Sequence, residues 1–96
     1  MSKLTIVARI TAKPGKVGLV KEELMKLVPA TRAEAGCLNY DLHQDQGEPA
    51  HFLFYENWET RDHWLAHMEA PHIREFQAKA DEMVADVAVY EMDPIG

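Results

Sequence analysis

Hydrophobic residues in the stretch 4–11 fall on alternate positions, with Leu4, Ile6, Ala8 and Ile10 on one face and Val7 on the other. A period of two in a run rich in β-branched side chains predicts a strand, here with both faces at least partly buried. Pro14-Gly15 breaks it, and Val17, Val20, Leu24, Leu27 and Val28 then recur at helical spacing through a segment ending near Glu34. Pro29 has no N–H to donate and should kink or shorten the last turns of that helix, while Gly36 is placed to stop it. Residues 37–45 alternate again, Leu38, Tyr40 and Leu42 against Asn39, Asp41 and His43. Turn chemistry at Gln46-Gly47-Glu48-Pro49 joins them to residues 50–58, which predicts a hairpin. In its second strand Phe52, Phe54 and Trp58 share a face with Glu56, and Leu53 and Tyr55 point the other way. Thr60 suits the N-cap of a short helix over 61–68. Pro71 suits the first turn of another helix, in which Ile73, Phe76, Ala80 and Met83 form an apolar stripe. Residues 84–92 close the pattern as a fourth strand.

Two strand-helix-strand units joined through a hairpin predict an α+β fold of ferredoxin-like βαββαβ type, a four-stranded antiparallel sheet with helices on one face. Apolar side chains on both strand faces would leave the other face bare, a patch of the size that marks an interface. A two-fold homodimer, sheet against sheet, is the expected cover.

Composition narrows the function classes. The chain of 96 residues is expected to be one domain over 1–96, and 47% hydrophobic with 27% charged residues is the composition of a folded, soluble protein. A net charge of −6 without clustered Lys or Arg argues against nucleic acid or an anionic membrane as partner. The lone cysteine, Cys37, forms no internal disulfide, no leader precedes the first strand and no apolar run is long enough for a membrane span, so a cytoplasmic location is expected.

Candidate chemistry gathers where the helical half is interrupted. His67 and His72 flank the break in His67-Met-Glu-Ala-Pro-His72. An imidazole that titrates near neutrality could take a proton from a weakly acidic substrate there, or could serve only as a helix cap. His63 and His67 have the spacing to share a metal, but lack signature partners, and a solvated helix face is the favoured reading. Trp58 and Trp64 could wall a flat aromatic ligand, although for Trp64 a core role is favoured. Asn39 and Tyr40 point to opposite sheet faces; the Asn39 amide could bond a substrate oxygen or pair across the hairpin. Cys37 reads as a small buried hydrophobe. No Gly-rich phosphate loop, paired-cysteine motif or nucleophile elbow is present, so nucleotide, flavin and iron–sulfur cofactors have no local support.

The runs Glu34-Ala-Gly-Cys-Leu-Asn-Tyr-Asp41, Phe54-Tyr-Glu-Asn-Trp58 and His67-x-x-x-Pro71-His72, with the opening Ala12-Lys-Pro-Gly-Lys16 turn, resemble the antibiotic biosynthesis monooxygenase family over nearly the whole chain. The resemblance implies a homodimeric α+β barrel and oxidation of a small aromatic or quinol-type substrate by O2 with neither metal nor other cofactor. In such a scheme the protein deprotonates an electron-rich substrate and stabilises the anion in a dry pocket. Carried over by motif, His67 and His72 become candidate base and polariser, and Trp58 and Asn39 candidate wall and donor. Heme-degrading relatives carry an Asn on the first strand, which residues 4–11 lack, and Gln77 and Lys79 offer no evident iron ligand. A similar Glu34-Ala-Gly36, Tyr55-Glu56 and Pro71-His72 pattern in isomerases of the phosphorylated autoinducer-2 sugar gives the alternative, with Arg9, Arg32 and Arg74 as available cations for the phosphate. A dimer that binds a small aromatic molecule without turning it over is the third expectation.

Overall fold

The computed structural model describes residues 3–96. Its elements follow the order β1 (Leu4–Ala12), α1 (Val17–Arg32), β2 (Cys37–Gln44), β3 (His51–Trp58), α2 (Arg61–Met68), α3 (Pro71–Met83) and β4 (Val84–Met92). The strands form one sheet in the order β2-β3-β1-β4, and each neighbouring pair is antiparallel. This is the expected ferredoxin-like architecture.

The inner face of the sheet packs on the helices because its alternating positions are apolar in every central strand. Ile6 and Ile10 from β1, Phe52 and Trp58 from β3, and Val20 and Leu24 from α1 are all buried. At roughly 1.5–3 kcal/mol for each fully buried large apolar side chain, this layer supplies most of the drive to fold. The stripe on α1 runs Val20, Leu24, Leu27 and then Thr31, which is fully buried although polar.

Two departures from the simple pattern shape the site. The α1 helix ends at Arg32, and the chain turns through Glu34 before Gly36 takes a left-handed φ of 82°. Glu34 is thereby released from the helix to reach elsewhere. In β2 the pairing shifts between Cys37 and Asn39, so Leu38 is an extra, unpaired residue. Strict alternation would bury Leu38 with Tyr40; the bulge leaves it 50% exposed while Tyr40 stays inside.

The helices cover the sheet unevenly. Val87 and Val89 pair with Ile10 and Ala8 and so face the helix side, yet they are 51% and 44% exposed. On the outer face Tyr55, Tyr90 and Met92 are exposed as well. No helix among the described residues is long and apolar enough to cross a membrane.

Candidate active site

The break between α2 and α3 occupies two residues, Glu69 and Ala70. Ala70 is extended (φ −63°, ψ 146°), as the residue before a proline prefers, and Pro71 starts the next helix. His67 therefore lies in the last turn of α2 and His72 in the first turn of α3, and both rings turn toward the α1–β2 connection. Glu34 meets them there. Its Oε2 lies 2.9 Å from His67 Nδ1 and 2.9 Å from His72 Nε2. A carboxylate only accepts, so His67 Nδ1 carries its proton and donates it to Glu34, whereas the hydrogen-bond partner of His72 Nε2 is Thr31 Oγ1.

That assignment fixes what His67 offers. Its Nε2 is left with a lone pair and bonds no described side chain. Among the described residues, no fully enclosed side-chain nitrogen or oxygen lacks a partner, so Nε2 keeps some access, and the His67 ring lines the inner cavity. Burial holds the His67 pKa below its ordinary 6.5, with Glu34 pulling the other way, and the ring is neutral at neutral pH. A neutral, oriented imidazole against an apolar cavity is a general base. His72 differs. Its Nε2 also lies 3.0 Å from Thr31 Oγ1, and its ring lines a separate outer crevice with Glu23, Lys26 and Glu75. It braces Glu34 from behind and does not face the inner cavity.

The inner cavity has a volume of about 150 Å³ and lies between the sheet and α2 and α3. Its walls are mainly apolar, among them Phe54, Trp64, Ile73 and Phe76, and polar groups enter from Tyr40, Glu56, His67 and Gln77. Its lining also includes Val87 and Val89 on β4, both about half exposed. Among the described residues no Lys or Arg lines it: Arg9 approaches Asp86, Arg32 pairs with Asp41 and Arg74 with Glu69. A larger groove of about 400 Å³ between α1 and β2, edged by Lys21, Arg32 and His43, includes neither His67 nor His72.

Both tryptophans belong to the core, as the sequence favours for Trp64, but they stand differently to the cavity. Trp58 is fully buried behind His67, with ring centroids 4.8 Å apart, and its indole N–H donates to Glu56 Oε1 at 3.0 Å. Trp64 is the one that lines the cavity. Asn39 lies on the opposite face of the sheet. Its amide donates to Asp41 and to the Tyr55 carbonyl and accepts from Asn57, so it pairs across the hairpin and is not brought to the histidines.

Sequence reasoning passed over three groups. Glu34 had no local signal, since its partners lie 33 and 38 positions away. Thr31 had one, a polar residue in an otherwise apolar stripe, and its hydroxyl also reaches the Tyr40 phenol. Glu56 had the clearest, a carboxylate at an inward position between Phe54 and Trp58; burial raises its pKa to about 7. Tyr40, stacked on Phe54 with centroids 4.4 Å apart, is kept protonated by burial and by the neighbouring Glu56. Burial and Glu34 likewise raise the Cys37 pKa, which leaves the thiol inert.

A metal would find one set of ligands here. The donor atoms of Glu34, His67 and His72 all lie within 4.8 Å of one another, two imidazoles and a carboxylate of the type that binds divalent transition metals. The pairing of His63 with His67 is not the one formed. The His63 Nδ1 is instead 2.8 Å from Thr60 Oγ1.

The chain is 29% identical over 96 residues to the uncharacterized protein sll1783 of Synechocystis, of which it spans 63% of the length. It is 33% identical over 82 residues to YcnE of Bacillus subtilis, a protein named as a monooxygenase, covering 85% of this chain and 86% of that one. It is 26% identical over 101 residues to YgiN of Escherichia coli, named as a quinol monooxygenase, covering 95% of this chain and 97% of the relative. The crystal structure of PA3566 from Pseudomonas aeruginosa superposes with a TM-score of 0.96 at 33% identity, over 100% of this chain and 97% of that one. With the family model for antibiotic biosynthesis monooxygenases matching residues 3–79, the chain belongs to that family.

Proposed function

We propose that the protein is a cofactor-independent monooxygenase of a one-ring, quinol-type aromatic, with His67 as the base. The observation that carries this reading is the 2.9 Å contact between Glu34 and His67 Nδ1, which leaves Nε2 as a lone-pair acceptor in an apolar cavity. A cavity of about 150 Å³ accommodates a single benzene ring. Substrate O–H gives its proton to Nε2, the electron pair stays on oxygen, and the resulting electron-rich anion is what O2 oxidises. The stoichiometry needs no outside reductant: a benzene-1,4-diol plus O2 gives a hydroxybenzoquinone plus water, the ring supplying the electrons that reduce the second oxygen atom. The quinol name of the YgiN relative supports the substrate class. The absence of a cation from the cavity lining supports a quinol over a phosphorylated sugar.

We further propose that the outer sheet face, where Tyr55, Tyr90 and Met92 are exposed, packs on a second copy in a two-fold dimer. Sedimentation at micromolar concentration should give twice the chain mass, and a stable monomer would refute it. For the activity, chelator-treated protein supplied with benzene-1,4-diol under isotopically labelled O2 should release hydroxybenzoquinone with a single labelled oxygen. Product formation no faster than in buffer rules the reading out. Activity that disappears on chelation and returns with metal would transfer the chemistry to an ion held by Glu34, His67 and His72.

A further inference from the structure

We propose that the Glu56 carboxyl group is a second ligand-binding donor in the cavity that His67 lines, so that the cavity selects a one-ring molecule carrying an acidic hydroxyl and a second ring oxygen that accepts a hydrogen bond. The proposal rests on the reading of His67 as the base in this cavity and specifies a second group that its ligand must carry.

The support is positional. Glu56 sits on the inner face of β3, paired on one side with Ile6 and on the other with Tyr40, and is 3% exposed. It lines the same cavity as His67, and Trp58 connects the two: its indole N–H bonds Glu56 Oε1 while its ring packs on His67. Among the described residues no Lys, Arg or His pairs with this carboxyl. A buried carboxylate with no cation is destabilising, and a Gln or Met at this place would pack without that cost. One oxygen is occupied by Trp58. The other bonds no described residue and is not fully enclosed, and the residue lines the cavity, so this oxygen is free for a ligand there.

The groups facing it settle its protonation. From β2 comes the neutral Tyr40 phenol, from the α1–β2 turn the Glu34 carboxylate, and from α2 the neutral His67; β1 contributes only apolar side chains. Glu91 on β4 is engaged with Arg61 and exposed. Desolvation first, and Glu34 second, favour the acid form at Glu56, with a pKa near 7. In that form the free oxygen donates a hydrogen bond. A hydroxyl that donates to His67 and a second oxygen that accepts from Glu56 describe a benzenediol, such as benzene-1,4-diol, or its monoether.

Two probes of the same shape test this, 4-methoxyphenol and 4-ethylphenol, which differ by an ether oxygen against a methylene. Binding is followed without oxygen by quenching of tryptophan fluorescence, since Trp64 lines the cavity. At about pH 6 the wild type should bind the methoxy compound roughly tenfold more tightly, the size of one buried hydrogen bond. The preference should vanish at about pH 8.5, where the carboxyl is ionised and repels an acceptor. In Glu56→Leu it should be absent at both pH values, and in Glu56→Gln it should persist at both, because the amide donates and does not titrate. Equal affinities in the wild type at pH 6, failure to bind either probe, or a preference that survives Glu56→Leu would overturn the proposal. Oxygenase activity without the methoxy preference would refute the role of Glu56 and keep the proposed function. The preference without oxygen uptake would do the reverse.

Discussion

Replacing Glu56 by Gln isolates the cost of keeping a carboxyl in the core. The amide preserves volume and can still accept the Trp58 N–H, now held at 3.0 Å by Glu56 Oε1, but it cannot ionise. In the wild type the folded-state pKa is about 7 against 4.5 for an unperturbed Glu. The unfolded chain therefore releases its proton first as pH rises, the folded state binds more protons across the window from 4.5 to about 7, and wild-type stability falls through that window. At ~1.4 kcal/mol per pH unit the full penalty is about 3 kcal/mol, of which about 2.5 kcal/mol develops between about pH 5 and about pH 8. His67 slopes the other way: its pKa lies below 6.5 in the folded state, so its contribution is complete above 6.5 and is lost as pH falls. Both proteins share that term and it cancels in the difference. Urea unfolding followed by the fluorescence of buried Trp58 and Trp64, at one protein concentration, gives the stabilities. The Gln variant should gain about 2.5 kcal/mol on the wild type between the two pH values, whatever constant offset the substitution introduces. A difference that does not change with pH would show that Glu56 ionises like a surface carboxyl, and the argument from its burial would fail.

Other perturbations separate groups that touch the ligand from groups that position them. Glu34→Gln should lower turnover on the order of 10- to 100-fold with little change in KM, and should move the acidic limb of the pH–rate profile to lower pH, because the carboxylate raises the His67 pKa; an unmoved limb would reduce Glu34 to a structural role. Asn39→Ala should leave turnover unchanged while costing about 1–2 kcal/mol in unfolding free energy, since it strips the Asn57 amide of its acceptor on the far face of the sheet. Gly36→Ala should cost about 2–4 kcal/mol, because φ is 82° there and a Cβ would overlap the His63 ring. Part of that loss should be recovered in a His63→Ala background, and no recovery would locate the strain in the backbone alone.

The sheet and helices were legible because their periodicities are local. Ile6, Ala8 and Ile10 alternate, Val20, Leu24 and Leu27 recur at helical spacing, and Pro71 punctuates the helical half where α3 begins. The bulge at Leu38 was hidden by the same regularity: the alternation Leu38, Tyr40, Leu42 is intact in the sequence, and only the pairing with β3 shows the slip. His67 stood out by its place beside a helix break, whereas the division of labour with His72 depends on which side of Glu34 each ring occupies. The sequence ranks Trp58 ahead of Trp64 as a cavity wall, and the structure has both in the core with Trp64 as the one that lines the cavity. Trp58 has the strand position of a wall, yet an inward residue at the end of a central strand is covered by α2, and the next aromatic on α2 becomes the surface a ligand meets. Glu56 was visible as a charge on an apolar face, and its significance appeared once no cation was found beside it.

Oxygen uptake by chelator-treated protein supplied with benzene-1,4-diol, compared among wild type, His67→Ala and His72→Ala, bears most directly on the chemistry assigned to this cavity. His67→Ala should lower the rate at least about 100-fold and recover partly with added imidazole, the behaviour of a removed general base. His72→Ala, which loosens Glu34 without touching the ligand, should cost less than about tenfold. Equal rates in wild type and His67→Ala would contradict the assignment.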